Sequence, residues 1–149
     1  MSDHQKIKLK GRGHHLFSQN EVADAALFPG MAVEKLANGN YGQPVSTQLE
    51  LIKSDTIYIV EEDSLQGRTV LDAWDEDSVI SLYIPEVGDE CLVLLKDGEV
   101  ITVGEKVMIE GGGSGLFIAA AGTESKYHFE AKEALSPDGE NGLLWVRRL

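Results

Sequence analysis

Two apolar runs separated by an Asp-Gly pair lie near the middle of this 149-residue chain. The runs are Leu92–Leu95 and Val100–Val103, and Asp97-Gly98 lies between them. An Asp-Gly pair between apolar runs favours a tight two-residue turn, because such a turn needs residues that tolerate positive φ. The sequence therefore predicts an antiparallel β-hairpin over 92–103 as the central ladder of the fold.

Most of the remaining sequence consists of short apolar or alternating runs separated by glycine, proline and asparagine. Runs at a spacing of roughly ten residues are typical of β-sandwiches and small β-barrels. Segment 129–135 is also compatible with a helical turn, but Tyr127, Phe129 and Ala131 alternate and favour a strand. We therefore expect a mainly β fold, a small β-barrel or β-sandwich of short antiparallel strands. The other strands are predicted within 6–10, 31–36, 45–53, 56–60, 68–71, 79–83, 107–109, 116–119, 126–134 and 143–146.

One short helix is predicted before the β-rich part. Ser18-Gln19-Asn20-Glu21 fits a capping box, in which the serine and the glutamate side chains bond to backbone amides of the first turn. Pro29-Gly30 ends the helix, because proline disfavours helical geometry in the residue before it. The predicted helix over 23–27 is therefore short.

Charge is distributed unevenly along the chain, whose net charge is −12. The first 20 residues carry +3, so the other 129 residues carry −15. An acidic body repels nucleic acid and anionic membranes, because binding to phosphate depends mainly on lysine and arginine. We therefore expect neither nucleic acid nor a membrane as a partner, and the apolar runs are shorter than a membrane span.

The N-terminal basic residues alternate with aliphatic ones and are followed by glycines. This alternation predicts a strand, and lysines on an edge strand discourage pairing between copies. We interpret residues 1–17 as a flexible basic arm and residues 18–149 as a single β-rich domain. The arm is predicted to add a strand to a partner's sheet, or else to act as a solubilising tail. The residues predicted to bind the partner are Lys6, Ile7, Lys8, Leu9, Lys10 and Arg12.

No catalytic, cofactor or metal site is predicted. His14-His15 has no third metal ligand nearby at a suitable spacing, and the glycine-rich loop 111–115 lacks the Gly-Lys-Ser/Thr ending of a phosphate-binding loop. The acidic loop 72–77 has the charge of a calcium loop without the residue spacing of an EF-hand, and whether it binds a cation is left open. Cys91 lies in an apolar run, which predicts a buried, inert thiol.

Several turn-and-strand patterns follow one another in a characteristic order. They are Phe28-Pro29-Gly30-Met31-Ala32-Val33, Ile59-Val60-Glu61-Glu62, Gly67-Arg68-Thr69, Tyr83-Ile84-Pro85-Glu86-Val87-Gly88-Asp89-Glu90, Val103-Gly104-Glu105-Lys106-Val107, the loop at 111–115, Ala131-Lys132-Glu133-Ala134-Leu135 and Trp145-Val146-Arg147-Arg148-Leu149. In this order they resemble the head decoration proteins, also called capsid cement proteins, of tailed bacteriophages. The resemblance extends over residues 28–149.

The resemblance implies a non-enzymatic virion structural protein that binds the exterior of an assembled phage capsid and stabilises it. It implies the major capsid protein as the partner and self-association, as a homotrimer in preference to a dimer. It also implies a location on the capsid exterior in the virion, and in the host cytoplasm before assembly.

Two alternatives from other functional classes remain open at the level of the sequence. One is a β-rich receptor- or glycan-binding module, for which Tyr41, Trp74 and Trp145 would have to share an exposed surface. The other is a small hydrolase that uses the acids of loop 72–77 together with His128, and it requires these groups to converge in one cleft.

Overall fold

The computed structural model describes residues 6–17, 20–46, 56–110, 113–120 and 127–149. These ranges contain eleven short strands and one 3₁₀ turn at Ser64–Gln66, so the predicted mainly β fold is confirmed. The strands are β1 (Lys8–Lys10), β2 (His14–Leu16), β3 (Ala32–Lys35), β4 (Tyr41–Gly42), β5 (Tyr58–Val60), β6 (Leu82–Ile84), β7 (Glu90–Leu95), β8 (Lys106–Ile109), β9 (Phe117–Ala119), β10 (Phe129–Ala131) and β11 (Gly142–Arg148).

Five strands form a closed barrel in the order β7, β11, β10, β8, β9. Its longest ladder joins β7 and β11 through six antiparallel residue pairs. The barrel closes where Leu95 of β7 pairs in parallel with Phe117 of β9. Strand β1 pairs with the beginning of β7, opposite Cys91 and Glu90, and so extends this sheet to six strands.

A second, antiparallel sheet has the strand order β2, β6, β5, β3, β4. The chain passes from the barrel sheet to this sheet between β1 and β2, through Gly11 and Gly13. Strand β2 then pairs with β6 through three residues, from His14 to Leu16. The N-terminal segment therefore belongs to both sheets.

The middle of the second sheet, strands β5 and β6, is buried on both faces, and consecutive residues of these strands point to opposite sides. Ile59 and Tyr83 pack in the same hydrophobic cluster as the barrel interior. Their neighbours Val60 and Leu82 pack in a second cluster, together with Trp74 from a loop. The second sheet consequently lies between the barrel and a layer of loops.

The predicted hairpin over 92–103 is wrong, although a turn is present at the predicted position. A turn forms at Asp97-Gly98, where Gly98 has a φ of 90° and the Glu99 amide donates to the Lys96 carbonyl oxygen at 3.2 Å. Asp97 does not have the positive φ that a tight two-residue hairpin turn requires of its first residue. Segment 100–103 does not pair with β7, and Ile101 instead forms a bridge with Leu135. The reason is that β7 already has β11 along one edge and β1 and β9 along the other.

The predicted helix over 23–27 is also wrong. Ala23 and Leu27 are fully buried and form isolated β-bridges with other segments, Leu27 with Trp74. Their amides donate to distant carbonyl oxygens, so they are not available for the bonds of a helix. Residues 18 and 19 of the predicted capping box lie outside the described residues.

Two further strand predictions have different outcomes. Most of segment 45–53 lies outside the described residues. Segment 68–71 forms a turn, in which the Asp72 carboxylate accepts hydrogen bonds from the Thr69 amide at 2.7 Å and from its hydroxyl at 3.2 Å. A local bond of this kind competes with strand pairing, which explains why a β-branched run failed to form a strand.

The structure places residues 6–17 within the two sheets and thereby corrects their interpretation as a flexible arm. Ile7 is 0% exposed and belongs to the hydrophobic cluster of the barrel. Its carbonyl oxygen accepts a hydrogen bond of 2.8 Å from the Leu92 amide. Burial of Ile7 and pairing of the backbone together offset the entropy lost on ordering this segment.

Candidate functional site

The residues that were predicted to bind a partner lie along β1 and the turn after it. Lys6, Lys10 and Arg12 are exposed and are called the basic edge below. Lys8 and Leu9 are partly buried, whereas the buried Ile7 is not available to a partner's sheet. Within the described ranges β1 pairs with β7 alone, so its second edge has no strand beside it.

A single carboxylate, that of Asp89, fixes the segment that follows the basic edge. It accepts hydrogen bonds from the amides of Arg12 and Gly13 at 2.8 and 2.7 Å. It also accepts one from the Tyr83 hydroxyl at 2.6 Å and one from the Glu86 amide at 3.0 Å. We call these contacts the Asp89 anchor, and they join the β1–β2 connection to the β6–β7 turn.

The Asp89 anchor also determines how its two acidic groups ionise. Burial disfavours the charged form of Asp89, but the four donated hydrogen bonds outweigh burial and lower the pKa of its carboxyl. Burial, followed by the hydrogen bond to Asp89, raises the pKa of the Tyr83 hydroxyl. The anchor therefore holds an ionised carboxylate against a neutral phenol.

A groove of about 290 Å³ opens between the N-terminal segment and the end of β5. Three consecutive acids line it, and all three are buried. They are Glu61, Glu62 and Asp63, which follow β5 directly. We call it the acidic groove. Its lining residues are Lys6, His15, Phe17, Glu61, Glu62, Asp63, Ser64, Leu65, Trp74 and Ser81.

Glu61 is the best-connected acid of the acidic groove. Its carboxylate lies 2.7 Å from Nδ1 of His15 and accepts a hydrogen bond of 2.8 Å from the Ser81 hydroxyl. Its backbone carbonyl accepts a hydrogen bond of 2.6 Å from the Trp74 indole. Strand β2 supplies His15, so the groove exists only because the N-terminal segment packs onto the second sheet.

Glu62 contacts the residue that precedes β1. It accepts a hydrogen bond of 3.1 Å from the Ile7 amide. Burial raises the pKa of its carboxyl, and neighbouring Glu61 adds to this effect, whereas the hydrogen-bonding amides and nearby Lys6 oppose it. The groove is thus an environment that disfavours negative charge in the absence of a cation.

Asp63 differs from its two neighbours in having no side-chain partner. It is 7% exposed, and its carboxylate makes no hydrogen bond or ion pair with any residue that the structure describes. Its backbone carbonyl accepts a hydrogen bond of 2.9 Å from the Arg68 amide, which holds this part of the loop in place. The carboxylate lines the groove together with the exposed side chain of Leu65.

The acids of loop 72–77 and His128, the groups of the hydrolase alternative, lie beside different sheets. The acids of loop 72–77 lie next to the second sheet, where Trp74 bridges to Leu27. His128 is buried beside β10 of the barrel, with Nδ1 2.8 Å from the Arg148 guanidinium. Among the described residues, no three His, Cys, Asp or Glu side chains are arranged to hold a metal ion.

The aromatic residues proposed for glycan binding do not form an exposed surface. Tyr41 and Trp74 are buried in the second hydrophobic cluster. Trp145 is partly buried, packs against the barrel cluster and donates its indole N–H to Glu90 at 2.9 Å. Cys91 is fully buried as predicted, and burial raises the pKa of its thiol.

Sequence reasoning missed the acidic groove. Three acids in succession after a strand are typical of a solvated loop, and the sequence gives no sign that His15 and Trp74 lie beside them. The one local signal was the turn-like sequence Ser64-Leu65-Gln66-Gly67 after the acids, and a 3₁₀ turn forms there over Ser64–Gln66.

Comparison with known proteins adds no family assignment. No protein-family model matches the chain, and no curated protein matches its sequence. Among the described residues, no helix has the length and apolar character needed to cross a membrane.

Proposed function

We propose that this protein is a non-enzymatic virion structural protein that binds the exterior of an assembled phage capsid and stabilises it. The proposal starts from the resemblance of residues 28–149 to head decoration proteins. The observation that carries it is the exposed basic edge on an otherwise acidic chain. The proposed partner is the major capsid protein, and the proposed assembly is a homotrimer, or else a dimer.

Charge supports a role for the basic edge in contacting another protein. Lys6, Lys10 and Arg12 are exposed, whereas the chain after residue 20 carries a charge of −15. A local patch of opposite sign orients a protein on an acidic partner and repels incorrect orientations. Val87, 77% exposed in the neighbouring β6–β7 turn, offers an apolar contact next to these charges.

The Asp89 anchor supports this role because it orders the segment before any partner binds. The amides of Arg12 and Gly13 are already bonded to Asp89 in the free protein. A segment that is already ordered loses less conformational entropy on binding than a flexible arm would lose. We therefore infer that the basic edge acts as a preformed surface.

The free edge of β1 suggests how the contact is made. Since Ile7 is part of the core, β1 stays in its own sheet. We infer that a strand of the capsid protein pairs with the second edge of β1 and so extends this protein's sheet. The sequence had predicted the reverse, in which the arm of this protein extends a sheet of its partner. Each single contact can be weak, because an oligomer that makes several contacts with the capsid at once binds it more tightly than one contact would.

The test uses expanded, empty heads that are assembled from the cognate major capsid protein and lack a decoration protein. The purified protein should bind these heads to saturation and raise the temperature at which they disrupt. Mass measurement of decorated heads gives the number of copies per binding site. Saturating binding without any change in disruption temperature would contradict the stabilising role.

A charge-reversal variant tests the basic edge itself. Lys10→Glu/Arg12→Glu should weaken head binding by about tenfold or more, because two favourable charge contacts become repulsive. Lys35→Glu/Lys132→Glu changes the net charge equally at sites outside the basic edge and should bind like the unmodified protein. Equal weakening by both double variants would show that only net charge matters and would exclude the basic edge as the contact.

A further inference from the structure

Residues 6–16, called the outer segment below, form an outer strand of both sheets. Strand β1 is the first strand in the order of the barrel sheet, and β2 is the first strand in the order of the second sheet. The five-stranded barrel closes through β7 and β9 without β1. The outer segment can therefore leave the rest of the chain, called the body, without breaking a pairing between the other described strands.

The outer segment contacts the body specifically along its whole length. At its beginning, the Ile7 side chain lies in the barrel cluster, and the Ile7 amide donates to Glu62 at 3.1 Å. In its middle, two amides donate to Asp89 at 2.8 and 2.7 Å. Near its end, Nδ1 of His15 lies 2.7 Å from the Glu61 carboxylate. Each of these contacts joins the segment to a residue of the body, so the body has a slot that fits this sequence.

Charge also distinguishes the outer segment from the body. The segment contains Lys6, Lys8, Lys10 and Arg12 and no acidic residue. Because the net charge of the chain is −12, the rest of the chain carries −16. Two such bodies repel each other when copies associate. A basic segment that crosses from one body to the other places positive charge between them and offsets part of this repulsion.

The chain that follows the outer segment is long enough to reach a second copy. Leu16 of β2 pairs with Leu82, and Val22 forms a bridge with Val79, so six residue steps on one side face three on the other. Six extended residues span about 20 Å, which is enough to cross between two bodies that touch. The surplus length therefore allows the outer segment to lie in its own slot or in that of a neighbour.

We infer that the outer segment is exchanged between copies of this chain, so that residues 6–16 of one copy occupy the slot of the next copy in the oligomer. An exchanged segment keeps all of its contacts, so exchange costs mainly the entropy of association. Reciprocal exchange gives a dimer, and cyclic exchange gives a trimer. In either case β1 stays in a barrel sheet of this protein, so the basic edge keeps its surroundings. The inference rests on the self-association proposed above and is independent of capsid binding.

A disulfide between the outer segment and the body tests the exchange on the full chain. His14 and Ile84 lie opposite each other on β2 and β6, at a spacing that suits a disulfide, and Cys91 is fully buried. Mild oxidation of concentrated His14→Cys/Ile84→Cys, followed by denaturing electrophoresis without reductant, should give linked dimers or trimers as the main species. Monomers with an internal disulfide as the main species would overturn the inference.

The matched control joins two strands of the body. Glu130 and Arg147 lie opposite each other on β10 and β11, neither of which belongs to the outer segment. Glu130→Cys/Arg147→Cys should therefore give monomers with an internal disulfide under the same conditions. Equal amounts of linked dimer or trimer from both variants would show cross-linking without exchange and would also overturn the inference.

A second measurement uses the unmodified protein. Chains labelled with carbon-13 and nitrogen-15 are unfolded in urea together with unlabelled chains and refolded as a mixture. The Gly13 backbone lies against the Tyr83 ring, since a Cβ atom on Gly13 would be 2.5 Å from Cε1 of Tyr83. An isotope-filtered NOE between Gly13 of labelled chains and the Tyr83 ring of unlabelled chains should appear. If this NOE occurs only within labelled chains, the inference is refuted, whereas the capsid proposal is decided separately by head binding.

Discussion

At the scale of single residues, the Asp89 carboxylate connects the β1–β2 connection to β6 and to the turn after it. Its carboxylate accepts from two amides of the β1–β2 connection, from the Tyr83 hydroxyl and from the Glu86 amide. Only an ionised carboxylate can accept from four donors at once, because a protonated acid must itself donate. The fold therefore depends on the charge of Asp89.

This dependence gives a prediction with a defined pH range. Asp89→Asn should lower the free energy of unfolding at pH 7 by about 2–3 kcal/mol, because the new NH₂ group faces donors. The pKa of Asp89 is lower in the folded protein than its ordinary value. The carboxylate therefore stabilises the fold above about pH 4, and this contribution disappears as the pH falls through the lower folded-state pKa.

Urea unfolding at a series of pH values measures this effect. The difference between Asp89→Asn and the unmodified protein should be largest near neutral pH and should shrink on acidification. Asp138→Asn, at an exposed position, serves as the control and should have little effect at any pH. A difference that grows on acidification would show that the charge of Asp89 destabilises the fold.

At the scale of elements, the connection between β1 and β2 packs closely against β6. A Cβ atom on Gly13 would lie 2.4 Å from the Ile84 carbonyl oxygen and 2.5 Å from Cε1 of Tyr83. Both neighbours belong to β6, so neither can move without disturbing the second sheet. A glycine is required here for space, and the Gly13 amide is required for the Asp89 anchor.

Gly13→Ala should therefore lower the free energy of unfolding by about 3 kcal/mol, the upper part of the range for overpacking. Gly139 provides the contrast, because its φ is 92° but a Cβ there would meet no atom within 4 Å. Gly139→Ala should cost only the strain of a left-handed backbone, about 1 kcal/mol. Chemical denaturation of both variants measures these values. A smaller effect at Gly13 than at Gly139 would contradict the close packing of this connection.

The same scale shows what the sequence could and could not predict. Apolar, β-branched runs predicted the strands β3, β5, β7, β8, β9, β10 and β11 near their observed positions, because strand formation reflects local pattern. Which strands pair depends on competition between distant segments. For this reason β7 pairs with β1, β9 and β11, and the predicted hairpin over 92–103 does not form. Residues 23–27 were predicted as a helix from a local capping pattern, whereas the amides of Ala23 and Leu27 bond to the distant carbonyl oxygens of Ser78 and Trp74.

The acidic groove could not be predicted from the sequence for a related reason. Its lining comes from segments as far apart in sequence as His15, Glu61, Trp74 and Ser81. The basic character of Lys6 to Arg12 was visible in the sequence, but burial of Ile7 between its charged neighbours was not. The positions of the charged residues could be read from the sequence. Their arrangement as the basic edge and the acidic groove depends on three-dimensional packing.

At the scale of the whole molecule, the two hydrophobic clusters share one sheet. Tyr83 and Ile59 pack with the barrel, while Leu82 and Val60 on the same strands pack beneath the loops. Loss of the second sheet would therefore expose apolar surface in both clusters. We expect the barrel and the second sheet to unfold together, because separating them would expose apolar surface of both and would raise the free energy of either part alone.

Each cluster has its own tryptophan, which makes this expectation measurable. Trp74 belongs to the loop cluster, and Trp145 packs against the barrel cluster. Variants with a single tryptophan, Trp145→Phe and Trp74→Phe, therefore report on the two clusters separately. Leu144→Ala in the barrel should destabilise by about 2–5 kcal/mol, the usual range for removing a buried leucine side chain.

The decisive result is whether this destabilisation reaches the other cluster. Leu144→Ala should shift the urea midpoint of Trp74 fluorescence as much as that of Trp145 fluorescence, each compared with its own single-tryptophan parent. Leu71→Ala, at a 70% exposed position, should change the free energy of unfolding reported by either tryptophan by less than about 0.5 kcal/mol. A shift confined to Trp145 would mean that the second sheet unfolds independently. In that case the basic edge, which lies on the barrel sheet, could persist after the acidic groove had opened.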